Sequence, residues 1–215
     1  MKPHDDPLDH PDLQRLASRE PSRLADLVAR VVHPFATGTV MVFAVALHAC
    51  WPRLGAALGW GLVALLGVIG TPLAILALCL RIGWVSDLNV VRQDERLRPL
   101  VLGLVAVAVA MAVIWAAGAP WPVVALMISL LGGVGVLTVL TIWEKVSFHA
   151  AGAGALMAVL GIGVTPWGWL AGAVALVGVG WARVRAGRHS LRQVLLGATV
   201  GVVMVGGAFW MLTRG

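Results

Sequence analysis

Residues 99–143 read PLVLGLVAVAVAMAVIWAAGAPWPVVALMISLLGGVGVLTVLTIW, and none of them carries a charge. A helix needs about 20 mostly apolar residues to cross the hydrocarbon core of a bilayer, and this stretch holds two such runs, 99–117 and 121–143. Between them Ala119, Pro120, Trp121 and Pro122 predict a tight turn at a membrane interface, where tryptophan gathers. Lipid is the solvent that accepts such a pair. Working outward, five further apolar runs lie at about 34–51, 55–80, 149–163, 166–182 and 191–212. Thr165, Pro166 and Trp167 give a second turn of the same kind, and the fifth and sixth of the seven runs are short.

The rest of the composition agrees. Of 215 residues 60% are hydrophobic and 12% charged, more apolar and less charged than a soluble domain of this size. The reading is all-α: a polytopic transmembrane helix bundle of about seven crossings over residues 33–215, forming a single domain. Residues 1–32 are a polar N-terminal tail that mixes acids, bases and prolines and lacks the basic-then-apolar order of a signal peptide. Within it, residues 12–32 can wind into an amphipathic helix on the membrane surface, with Leu13, Leu16, Leu24, Leu27 and Val28 on one side. Cys50 and Cys79 stand in apolar runs without ligand-like neighbours and read as packing residues. The pairs Gly55 with Gly59 and Gly197 with Gly201 have the spacing at which helix backbones approach closely in lipid.

Seven crossings put the tail and the polar segments 81–98, 144–148 and 183–190 on one side of the membrane. That side carries Arg30, Arg81, Arg92, Arg96, Arg98, Lys145, Arg183, Arg185, Arg188 and Arg192, besides the bases of the tail, whereas Arg53 and Arg214 fall on the other. The positive-inside rule makes the basic side, with the N-terminus, cytoplasmic. The net charge of +6 sits in short segments between apolar runs, which favours lipid head groups or a phosphate substrate over nucleic acid.

Polar side chains at the edge of an apolar core are functional candidates. Three clusters qualify: residues 92–99 with Arg92, Arg96, Arg98 and Pro99; residues 145–149 with Lys145, Ser147 and His149; and residues 183–193 with Arg183, Arg185, Arg188, His189 and Gln193. Two crossings separate each cluster from the next, so all three meet the same aqueous boundary. Several guanidinium groups, one ammonium and two imidazoles have the charge and fork geometry for a phosphate, and helices beginning near Ser147 and Ser190 add backbone donors.

In this order the clusters resemble the membrane-bound type 2 phosphatidic acid phosphatase superfamily. Its three motifs are Lys, six residues, Arg-Pro; then Pro-Ser-Gly-His; then Ser-Arg, five residues, His, three residues, Asp. Arg98-Pro99 matches the end of the first, Ser147 and His149 match the second at its spacing, and Arg183 and His189 match the third at its spacing. Val91, Val146, Phe148, Ala182 and Gln193 depart from it, the last standing where the family has an aspartate. The resemblance implies a six-helix phosphatase-like core plus one helix, acting without metal or other cofactor on a lipid phosphate or diphosphate, polyprenyl or glycerolipid. It further implies His189 as nucleophile, His149 as general acid, and Arg98 and Arg183 as phosphate clamps, with Ser147, Arg92 and Lys145 as further phosphate contacts. Gln193, four residues after His189, would orient that ring through its amide oxygen. In the serine-protease triad the corresponding acid-to-amide exchange lowers turnover about 10⁴-fold.

Other readings stay open on the residues themselves. Arg-Pro at a helix start suits the first turn, Ser147 suits a helix cap, and Arg92 or Arg96 can pair locally with Asp94 and Glu95. His33 and His48 read as boundary or packing residues, and Trp143 and Trp181 as interfacial ones. A polyprenyl transferase also carries acids before an Arg-Pro pair, but it needs a second aspartate-rich loop, and no Asp follows Asp94. A non-catalytic binder of lipid phosphates and a transporter are the remaining classes.

Overall fold

The computed structural model describes residues 22–87, 90, 92 and 94–214. Its helices are α1 (Arg23–Val31), α2 (Pro34–Cys50), α3 (Leu54–Arg81), α4 (Leu97–Ala116), α5 (Trp121–Leu140), α6 (Phe148–Gly163), α7 (Trp167–Arg185) and α8 (Leu191–Arg214). No strand occurs among the described residues, so the all-α bundle read from the sequence is the fold. Among the described residues six helical spans are long and apolar enough to cross a membrane: α1 with α2, then α3, α4, α5, α7 and α8. The chain is an integral membrane protein.

The remaining expected crossing, α6, has 16 residues, about 24 Å at the α-helical rise and short of a ~30 Å hydrocarbon core. It lies inside the bundle, packed by α2, α7 and α8, with Ala150, Ala151, Ala153, Gly154, Ala155, Ala158 and Val159 buried. Its small side chains let those neighbours close around it. The sixth run is longer than expected: α7 continues past residue 182 through Arg185. Two arginines in its last turn suit the negative end of a helix dipole, and Gly187, at φ +67°, reverses the chain just beyond.

Both proline turns form. Gly118 takes φ +83° after α4, Pro122 sits in the first turn of α5, and Pro166 caps α7. In α3 the chain widens into a π-helical turn at Leu66–Gly70, just before Pro72, which has no N–H to return to the preceding turn. A second π-helical segment, Val200–Gly206, interrupts α8.

Of the tail, residues 1–21, including Leu13 and Leu16, lie outside the described residues, as do Val91 and Gln93. Of the helix expected at residues 12–32, the described part forms α1 from Arg23 to Val31, capped by Ser22, whose Oγ accepts from the Ala25 amide at 3.4 Å. Its apolar residues divide between two faces. Leu24, Leu27 and Val31 point outward, whereas Ala25 is buried and Val28 turns toward Gly178 of α7. Cys50 and Cys79 are buried and unpaired, in keeping with packing roles.

The tightest helix contact joins α8 to α6. A Cβ on Gly197 would strike the Ser147 carbonyl oxygen, and one on Gly201 the Ala151 carbonyl oxygen. Around Gly55 and Gly59, by contrast, nothing lies within 4 Å. Gly197→Val is therefore expected to lower the detergent-solubilised protein's thermal midpoint sharply, with a loss of about 2 kcal/mol or more. Gly55→Ala is expected to leave it unchanged or slightly higher, because alanine is the better helix former; parallel melts of the two variants check both.

Candidate functional site

One end of the bundle holds the starts of α2, α4, α6 and α8 and the end of α7, and a cavity of about 970 Å³ opens there. Its polar end is lined by Asp26, Arg30, His33, Arg96, Lys145, His149, Arg183, Arg188, His189 and Gln193. All three clusters of the sequence reach it. Among the described residues five cations, Arg30, Arg96, Lys145, Arg183 and Arg188, stand there with the carboxylate of Asp26.

The third cluster is folded by its own glycine. Past α7, the amides of Arg188 and His189 both donate to the Arg183 carbonyl, at 3.1 and 3.3 Å. The left-handed turn at Gly187 thus carries His189 back over Arg183, which is how an Arg-x5-His spacing becomes a contact. His189 is 7% exposed. Its Nδ1 lies 3.3 Å from the Lys145 carbonyl; a carbonyl only accepts, so this bond places the ring proton on Nδ1 and leaves Nε2 with a lone pair. Arg183 is buried at its Nε, which has no hydrogen-bond partner among the described residues.

His149 opens α6, one residue after Phe148, and its ring stands edge-on to that of His33 at 5.0 Å between centroids and 81°. His33 caps α2 through Nδ1, which accepts from the Phe35 amide at 3.3 Å. His33, read from the sequence as a boundary or packing residue, is a wall of the cavity. The signal was its position seven residues after Asp26 on the same side as Arg30, so that one face of α1 and its continuation aims three polar groups inward.

Several expected site residues are placed differently. Arg98 is not among the residues lining the cavity; its guanidinium lies over the Trp84 ring, 5.3 Å from the centroid. On α4 the cavity face repeats through Arg96, Pro99, Leu100, Gly103 and Val107, and Arg98, two residues from Arg96, is turned well away from it. Arg96 takes the position instead, its Nε donating to the Val90 carbonyl at 2.9 Å. Arg92 is drawn off by Asp94 at 3.0 Å and Glu95 at 3.3 Å, the local pairing that the acids invited. Ser147 is fully buried and caps α6 by accepting from the Ala150 amide at 3.4 Å, so it acts on the helix rather than in the cavity. Lys145 does line the cavity.

Gln193 lines the cavity too, but both ends of its amide are engaged away from His189. Its Oε1 accepts from the Ser190 amide at 3.1 Å and completes a capping box on α8. Its Nε2 donates to Glu144 Oε1 at 2.8 Å, and the Gln193 carbonyl accepts from the Ser147 amide at 3.2 Å. The orienting partner of His189 is therefore the Lys145 carbonyl. Gln193 holds the neighbouring residues Glu144 and Ser147, and so fixes that carbonyl from both sides.

Comparison with protein-family models, with curated proteins and with solved structures yields no match.

Burial, then the Arg183 and Arg96 guanidinium groups, push the His189 ring down from its ordinary 6.5 to about 3, against the favourable bond to the Lys145 carbonyl. An unfolded chain protonates this ring near pH 6.5. Between that pH and about 3 the unfolded state holds a proton that the folded state does not, so stability falls as the pH drops through the window, by up to ~1.4 kcal/mol per pH unit. Melts of the wild type between pH 7 and 4 are expected to fall more steeply than those of His189→Asn, which lacks the titrating ring.

Proposed function

We propose that the chain is a membrane phosphohydrolase that works without a metal, removing phosphate from a lipid phosphate or diphosphate through a phosphohistidine. The observation that carries this reading is the buried Nε of Arg183, unpartnered among the described residues, in the same cavity as His189, whose Nδ1 is held by the Lys145 carbonyl, and as the cations Arg30, Arg96, Lys145 and Arg188. A buried donor without an acceptor is costly, and an anion bound in the cavity removes that cost. Guanidinium and ammonium groups around a transferring phosphoryl stabilise its charge. The resemblance of the three clusters to the type 2 phosphatidic acid phosphatases agrees with this chemistry.

In the proposed reaction His189 Nε2 attacks phosphorus while its Nδ1–H is held by the Lys145 carbonyl. The bond from phosphorus to the lipid oxygen breaks, and the leaving oxygen takes a proton from the imidazolium form of His149. The charge of the bound phosphate favours that protonated form. Water then loses a proton to His149 and attacks the phosphohistidine, the P–N bond breaks, and inorganic phosphate leaves with His189 restored. Arg183, Arg96 and Lys145 hold the phosphoryl oxygens, and Gln193 positions His189 through the Glu144–Ser147 segment. By the positive-inside rule the proposed site faces the cytoplasm.

One feature favours the second reading, a lipid-phosphate binder that does not hydrolyse. Among the described residues the partner of the His189 Nδ1 is a carbonyl, which stabilises the cationic ring of a phosphohistidine less than a carboxylate would.

Phosphate release from polyprenyl and glycerolipid phosphates, measured with purified protein in detergent and chelator, tests the proposal. Release is expected from the wild type, at background in His189→Ala, and about 10²-fold slower in Arg183→Lys, whose ammonium lacks the planar fork. An acid-labile, base-stable phosphoryl adduct trapped on quenching should be missing from His189→Ala. Lipid-phosphate binding without release by the wild type would leave the binder.

A further inference from the structure

The cavity does not end at its polar mouth. From Arg96 it follows α4 past Leu100, Gly103 and Leu104 to Val107, which at 1.5 Å per residue is a depth of about 16 Å. That reaches roughly the middle of a ~30 Å hydrocarbon core. The walls of this limb are Ile69 and Leu73 of α3, Leu104 and Val107 of α4, Leu130 of α5 and Val205 of α8, with no hydrogen-bonding side chain among them. An apolar space of this size has no groups to hold water in place. Both π-helical segments border it, through Val68 and Ile69 in α3 and Val200 and Val205 in α8. Such widened turns are frequent at functional sites.

We infer that this limb seats one hydrocarbon chain of the phosphate-bearing amphiphile, so that the chain descends inside the bundle, between α3, α4 and α5, instead of remaining in the surrounding bilayer. This rests on the phosphate reading of the cationic end and adds to it a gauge of chain length. The floor of the gauge is near Val107. Gly103 lies four residues nearer the mouth, about 6 Å along the helix, where a side chain has room: a Cβ built there meets Pro72 at 3.7 Å, an ordinary contact. Gly103→Leu and Val107→Phe therefore close the limb at two depths without touching the cationic end.

The test uses the full chain in amphipol and calorimetric binding of n-alkylphosphonates from methyl to hexadecyl, each below micellisation; their P–C bond resists hydrolysis. Wild-type affinity is expected to rise about fourfold per added methylene up to a break at one chain length. The break should move to a shorter chain in Val107→Phe and to a shorter one still in Gly103→Leu, with methylphosphonate binding unchanged. Val105→Phe, on the outward face of α4, should leave the whole series as in the wild type. A break that stays in place in both variants while methylphosphonate still binds would overturn the limb and leave the phosphate site standing. Failure of the wild type to bind any phosphonate would overturn both. Where one variant loses methylphosphonate binding through misfolding, the other carries the comparison, and loss in both overturns the separation of limb from head-group end.

Discussion

How close α8 can come to α6 sets nearly everything else at the polar end. Gly197 and Gly201 present bare backbone to the carbonyl oxygens of Ser147 and Ala151, so the two helices touch without intervening side chains. In lipid there is no hydrophobic drive to press helices together, and such contact relies on packing and on hydrogen bonds near the helix ends. The bonds are at hand: Gln193 joins Glu144 through its side chain and Ser147 through its backbone carbonyl. His189 precedes α8 and His149 begins α6, so locking the two helix starts together places both imidazoles at one cavity.

The same lock explains what the glutamine does. At the position where the resemblance would put an aspartate, an amide that turned toward His189 would offer one neutral acceptor. Instead the amide spans Ser190 and Glu144, a carboxylate that also meets Arg192 at 3.3 Å, and the ring is served by the Lys145 carbonyl. A main-chain acceptor held from both sides gives orientation without adding negative charge. That keeps the cavity cationic, at the cost of less support for a positively charged ring.

Helix α1 ties the tail side of the chain to this arrangement. Its faces do separate things: Leu24, Leu27 and Val31 stay exposed, Ala25 is buried and Val28 packs toward α7, and Asp26 and Arg30 line the cavity. Asp26 is the single carboxylate among the described residues that line the cavity, and its charge acts on Arg183. A short amphipathic segment thus closes one side of a site whose other residues come from the spanning helices.

The sequence by itself determined the bundle, because long uncharged runs have no stable home outside a bilayer, and it determined the turns, because proline and glycine act locally. It also set His149, Arg183 and His189 at the ends of apolar runs; that they line one cavity is a property of the packed bundle. Which cation serves the cavity was decided by tertiary structure. Arg96 and Arg98 are two residues apart on one helix, and only the rotation of α4 against its neighbours tells which faces inward. His33 entered the site for the same reason: its role depends on how α1 and α2 are set beside α6. The partner of His189 was out of reach as well, because a backbone carbonyl at Lys145 leaves no mark in residue identity and becomes a partner only when two distant helix starts are brought into contact.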